Sequence, residues 1–286
     1  MSMFDSALGG IIANAEAARR AETGHENDYM SPEGLLMCGT CHARRQMVLD
    51  VPMIGTRIVP VMCKCDIARE EAEKARRAAE EEQRRIDNMR RVGITSPNYG
   101  LMTMAADDGS SPNMTKLASR YVEKRAEMYR ENIGLMFHGG TGGGKTFWAA
   151  AITNAMIDNG MSAMITTVPR LVSAMAKDYE ANKNYILDQI ARVGFLVLDD
   201  IGFERQTSYA AEKMFEIIDT RYQARRPLII TTNLSLEEIS NPQLMEYKRV
   251  FDRIIEMCQP VHVNAEGRRK AIARNKSELA REILGL

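Results

Sequence analysis

The chain has 286 residues, 45% of them hydrophobic, with 38 basic and 38 acidic side chains and a formal net charge of zero. That length supports one large core plus a smaller module. The charge balance excludes a globally basic nucleic-acid coat, though not a local basic patch, and no apolar run approaches the roughly 20 residues that cross a bilayer.

The opening stretch, "MSMFDSALGGIIANAEAARR", has an early Asp and no basic segment ahead of its short apolar run. No secretory leader is expected, and a cytoplasmic location is. Residues 2–22 read as a short helix and residues 23–34 as a polar loop. Residues 35–65 then carry four of the five cysteines: Cys38 and Cys41 are separated by two residues, 21 residues follow, and Cys63 and Cys65 are separated by one. This pattern resembles a zinc ribbon. The intervening "RRQMVLDVPMIGTRIVPVM" reads as two strands around a turn at Gly55, which brings four thiolates to one Zn2+ ion. Closed four-sulfur sites of this kind are structural, and so small a module would draw most of its folding energy from the metal. The second knuckle is tighter than usual, which makes His42 a reserve ligand. Disulfides are the alternative, and they are uncommon in the cytosol. Cys258 stands apart and reads as packing.

Residues 66–91 carry eight acidic and eight basic side chains with neither Gly nor Pro, which predicts a solvated helix laced by charge pairs three or four apart. Residues 92–113 are rich in Gly and Pro and read as a boundary. The expected organisation is therefore a zinc-ribbon-like domain over 1–65, a helical linker and loop over 66–113, and an α/β domain over 114–286. From residue 114 helices and apolar strands alternate. "KLASRYVEKRAEMYR" reads as helix, "GLMFHGG" as strand, "TFWAAAITNAMIDNG" as helix, "SAMITTV" as strand and "PRLVSAMAKDYEAN" as helix. "VGFLVLDD" reads as strand, "SYAAEKMFEIIDTRYQARR" as helix and "PLIITTN" as strand. Unbroken apolar strands between helices predict a parallel sheet covered on both faces. The tail from 235 reads as mostly helical, and residues 248–286 hold nine basic and five acidic groups.

Between the first strand and its helix lies Gly139-Gly140-Thr141-Gly142-Gly143-Gly144-Lys145-Thr146. It fits G-x-x-x-x-G-K-[ST] in the strand–loop–helix context that gives the pattern meaning. Glycines let main-chain N–H groups surround phosphate oxygens, and the helix adds its positive end. Lys145 is expected on the β- and γ-phosphates and Thr146 on Mg2+. "FLVLDD" ends in Asp199, suited to hold Mg2+, and Asp200, suited to polarise an attacking water or else to cap the following turn. Asn233 ends the next strand, where its amide either positions water or begins a turn before Ser235, a good helix cap.

From about residue 114 to 275 the chain resembles the AAA+ ATPases of the DnaC/DnaI helicase-loader and IstB transposition-helper group. The resemblance is carried by "GLMFHGGTGGGKTFWAAAI", "FLVLDDIGFE", "FEIIDTRYQARRPLIITTNLS" and "RVFDRI". It implies a P-loop NTPase core, ATP as cofactor, Asn233 at the sensor-1 position and an arginine finger at Arg249 or Arg253, acting in trans on a neighbouring subunit. Arg221 matches with a less defined role, and Arg268 or Arg269 falls near sensor 2. Asp200 stands where many AAA+ proteins carry Glu, so slow hydrolysis is expected, suited to a switch. A zinc-binding N-terminal domain is what loaders of the DnaI kind carry. The expected function is therefore loading of a DnaB-type replicative hexameric helicase onto single-stranded DNA, with Arg225 and Arg226 and the basic tail as candidate DNA contacts. The alternatives are an IstB-like transposition helper on duplex DNA and a small-molecule kinase. For a kinase there is no lid-like arginine cluster after the third strand.

Overall fold

The computed structural model describes residues 27–285 apart from 54, 177–180, 203–207, 243 and 265–267, and of residues 181, 208, 246 and 268–275 only the backbone. The helix expected over 2–22 lies outside the described residues. Chain contacts divide the protein into two compact units, Met1–Glu81 and Glu82–Leu286.

In the first unit, β1 (Tyr29–Met30) pairs with β2 (Leu36–Met37), and β3 (Gln46–Val51) with β4 (Gly55–Pro60), both antiparallel. The second hairpin closes at Gly55, whose φ of 84° lies where a Cβ is disfavoured. Among the described residues nothing covers Met47, Val48, Leu49 and Ile58 of its strands, which are exposed. Helix α1 (Lys64–Gly93) has 30 residues and the expected surface ladder, with Lys74 to Glu70 at 2.6 Å and Arg85 to Glu82 at 2.8 Å. Each exposed pair contributes only a few tenths of a kcal/mol. The helix rests on propensity and length.

The second unit is built on one five-stranded sheet in the order β6-β7-β8-β5-β9, all parallel. The strands are β5 (Gly134–His138), β6 (Ala163–Thr167), β7 (Phe195–Ile201), β8 (Leu228–Thr232) and β9 (Cys258–His262). Alternate strand residues enter two different cores. Met136, Leu196, Leu198 and Ile230 pack on one face, with α8 (Ser208–Gln223) and α10 (Met245–Met257). Phe137, Phe195, Val197 and Ile229 pack on the other, against Trp148, Ile152 and Met156 of α5 (Lys145–Asp158). Coverage on both faces is why these strands read as unbroken apolar runs. The fold is a five-stranded parallel sheet with helices on both faces, as the sequence predicts.

The remaining elements are α2 (Pro97–Leu101), α3 (Pro112–Glu123), α4 (Arg125–Arg130), α6 (Val168–Met175), α7 (Ala181–Arg192), α9 (Leu236–Ser240) and α11 (Arg268–Leu284). The helix expected across 116–130 breaks at Lys124, and the one expected from 169 ends at Met175. Among the described residues the mostly helical tail contains one strand, β9. Pro260 and two polar residues hide it in the sequence, and it is tolerated because it lies at the sheet edge.

Candidate functional site

The first unit gathers the Sγ atoms of Cys38, Cys41, Cys63 and Cys65 within 4.8 Å of one another, and all four are free thiols. A tetrahedral ion with bonds of about 2.3 Å holds sulfurs about 3.8 Å apart, so the quartet fits Zn2+. A hydrogen bond from the Ala43 main chain lowers the Cys41 thiol to about 6, while its contact with Cys41 pushes Cys65 up to about 12. Four thiols this close cannot all ionise without a cation to share. His42 points elsewhere, its Nδ1 being 3.1 Å from the Tyr29 hydroxyl.

Behind the quartet lies a charged clamp that spacing does not reveal. Buried Arg45 pairs at 2.8 Å with both Asp28 and Asp66. Asp28 accepts the Gly39 N–H of the first knuckle at 3.0 Å, and Asp66 accepts the Cys63 N–H of the second at 3.4 Å. One guanidinium thus ties both knuckles together through two carboxylates.

In the second unit the glycine loop joins β5 to α5. Gly139 has φ 125°, and a Cβ there would lie 2.6 Å from the Val263 carbonyl oxygen, so the chain after β9 presses directly on the loop. Gly144, the N-cap of α5, has φ 92°, which turns the main chain into the helix. The Lys145 ammonium is folded into the loop, donating to the carbonyls of Gly139 at 2.8 Å and Gly140 at 2.7 Å. His138 and His262 stand beside it, rings 5.2 Å apart. Burial first, then the charges of His262 and Lys145, lower the His138 pKa.

Across the crevice, the end of β7 carries the two acids. Asp199 is 6% exposed. Its Oδ1 accepts the hydroxyls of Thr146 at 2.9 Å and Thr231 at 2.6 Å, and its Oδ2 accepts that of Tyr99 at 3.0 Å. The β7–β8 register shifts between Leu198 and Ile201, and Asp200 takes φ 61° within the shift. This left-handed backbone turns its carboxylate toward Asn233, whose Nδ2 donates to Oδ1 at 3.0 Å. Ser235 caps α9, with a full capping box, so the helix-cap role weighed for Asn233 falls to Ser235. Asp199, Asp200, Thr146 and Asn233 are brought together, and the donor set, hydroxyl plus carboxylate beside a lysine-bearing loop, fits a triphosphate with Mg2+.

The arginines scatter. Arg249 is exposed on α10. Arg253, one turn on, lies 4.4 Å from the Phe215 ring centroid and 2.8 Å from Asp219. Arg221 is fully buried and donates to the carbonyls of Ile190, Val193, Gly194 and Pro227, so it braces the loops that lead into β7 and β8. Arg226 donates to the Arg192 carbonyl and lies over Tyr129. The backbone of Arg268 and Arg269 begins α11, and their side chains lie outside the described residues.

Sequence reasoning missed Tyr99 and Thr231. Thr231 left a signal, a hydroxyl pair ending an apolar strand in "LIITTN". Tyr99 left none, since it lies in the breaker-rich stretch.

The family of IstB-like ATP binding proteins matches residues 68–278. A replicative helicase loader DnaC of Escherichia coli strain K12 is 32% identical over 146 residues, 50% of this chain and 57% of that protein. A replicative helicase loader DnaI of Bacillus subtilis strain 168 is 27% identical over 147 residues, 48% of this chain and 47% of that protein. The chain thus spans about half the length of the curated relatives it matches. A crystal structure of DnaI superposes with a TM-score of 0.50 at 23% identity, over 62% of this chain and 96% of that one, which speaks for the fold.

Proposed function

Because the chain belongs to the family of IstB-like ATP binding proteins, we propose that it is an ATP-switched factor that loads a replicative hexameric helicase onto single-stranded DNA. The observation that carries the nucleotide part is the shared carboxylate of Asp199, bonded at once to Thr146 of the loop helix and to Thr231 of β8. The resemblance to loaders, and relatives named for that task, support the rest.

In this reading the loop amides and Lys145 receive the phosphates, the ammonium exchanging its two carbonyl partners for phosphate oxygens. Mg2+, when bound, neutralises charge that develops between the β- and γ-phosphates. Thr146 offers it a hydroxyl lone pair and Asp199 orients its water shell. Asp200 accepts a proton from the attacking water, and Asn233 holds Asp200 in place. As Asp is one methylene shorter than Glu, turnover is expected below the usual enzyme median of about 10 s⁻¹. An arginine of α10 completes a neighbour's site. The quartet of the first unit holds Zn2+, and the exposed apolar side chains of its hairpin meet the helicase.

The decisive experiment mixes the protein with a candidate hexameric helicase, with and without Mg·ATP, and measures complex mass and helicase loading on single strands. Complex formation and loading are expected. ATP-dependent assembly on duplex DNA without helicase capture would favour the second reading, a transposition helper, which the family match also admits.

A further inference from the structure

Tyr99 is unlike the other partners of Asp199. Thr146 and Thr231 belong to the loop helix and to the sheet, whereas Tyr99 lies on α2, in a strap that runs over residues 94–106 along that unit. The strap is fastened at several points. Ile94 forms a parallel bridge to Ile165 of β6, and the Thr95 hydroxyl donates to the Ile165 carbonyl at 2.6 Å. Asn154 of α5 donates its amide to the Tyr99 carbonyl at 2.8 Å and the Met102 carbonyl at 2.9 Å, and Arg90 holds the other end of that amide at 3.0 Å. The phenol then reaches Asp199 Oδ2 at 3.0 Å.

The lone pairs decide what this contact does. Among the described residues Oδ1 accepts two hydroxyls and Oδ2 accepts the phenol alone, so Oδ2 keeps acceptor capacity. A carboxylate oxygen has room for two donors, so the phenol and a metal-bound water could share Asp199 rather than compete for it.

We propose that Tyr99 is a positioning residue of the divalent-cation site, fixing the Asp199 carboxylate so that docking of the 94–106 strap and binding of Mg2+ strengthen each other. This rests on the Mg·ATP reading of the site. The coupling is reciprocal: whatever factor the docked strap adds to cation affinity, the cation adds to strap docking. The strap follows directly on α1 in the chain.

The test uses the full chain and two substitutions, Tyr99→Phe, which removes only the hydroxyl, and Thr95→Val, which loosens the strap without touching the site. ATP binding is measured by calorimetry across a Mg2+ titration and in EDTA, with hydrogen exchange of residues 94–106 followed alongside. Tyr99→Phe is expected to raise the half-saturating Mg2+ about tenfold, the worth of one hydrogen bond to a charged group, and to leave ATP binding in EDTA unchanged. Thr95→Val is expected to raise it by a smaller factor. Strap amides of the wild type are expected to exchange more slowly with Mg·ATP than with ATP in EDTA, and this difference is expected to vanish in Tyr99→Phe. An unchanged or lowered Mg2+ midpoint, with the wild type binding Mg·ATP normally, overturns the proposal, as does a variant that only melts earlier. Absence of Mg·ATP binding by the wild type overturns the nucleotide reading and this inference together.

Discussion

Asp200 adopts a left-handed backbone that few residues other than Gly, Asn and Asp tolerate, at a cost on the order of 1 kcal/mol. That backbone places its carboxylate within reach of the Asn233 amide, which donates to it at 3.0 Å. Asp200→Asn preserves the shape and removes the carboxylate that the proposed function uses as base. It is expected to keep Mg·ATP affinity and to lower single-turnover phosphate release about 10²-fold or more. His138 offers a pH prediction. Its folded pKa is lowered, chiefly by burial, so the unfolded chain binds the proton more readily. The stability held by neutral His138 is complete above its ordinary value near 6.5 and is lost as pH falls below that. Melting temperature should therefore drop on acidification through that window, and His138→Gln should flatten that part of the profile. Arg221 shows the opposite outcome for a residue singled out by resemblance: its four carbonyl partners make it a brace of the sheet, with no free group to offer a nucleotide.

Among the elements, the β3–β4 hairpin and the sheet were both legible, for different reasons. The hairpin announces itself by Gly55 between two apolar-rich runs, and the sheet by strands of continuous apolar character. The edge strand β9 was not legible, because a strand paired on one side can carry Pro260, Gln259 and His262 at little cost. The hairpin exposes Val48 and Leu49 on β3 and Met53 at the turn. A charge at Met53, as in Met53→Glu, should abolish helicase capture in a pull-down while calorimetric ATP affinity stays at the wild-type value. Metal analysis of freshly purified protein should give one zinc per chain, and chelation should release the first unit's ordered amides in hydrogen exchange while the second unit's core stays protected. A protein that holds no zinc would remove that site.

At the scale of the whole molecule, hydrolysis is expected to need a second copy. Arg253 is held by its own chain through Asp219 and two aromatic rings, while Arg249 one turn earlier is exposed. If either acts across an interface, Arg249→Ala or Arg253→Ala should retain nucleotide binding and lose turnover. Mixing that variant with Asp200→Asn should then restore activity above either alone, since each supplies what the other lacks; no recovery from either mixture would reject a finger in α10. The sequence alone determined the glycine loop, the paired acids, the four-cysteine spacing and the alternation that specifies a parallel sheet. These are local patterns, since a tight phosphate cradle, a strand end or a metal knuckle demands particular residues at short range. The tertiary structure decided what is joined across long separations. Tyr99 meets Asp199 and Arg45 ties Asp28 to Asp66, and Arg221 turns inward rather than toward a ligand. A hydrogen bond between residues far apart in the chain depends on how the elements pack, and no short stretch of sequence records that packing.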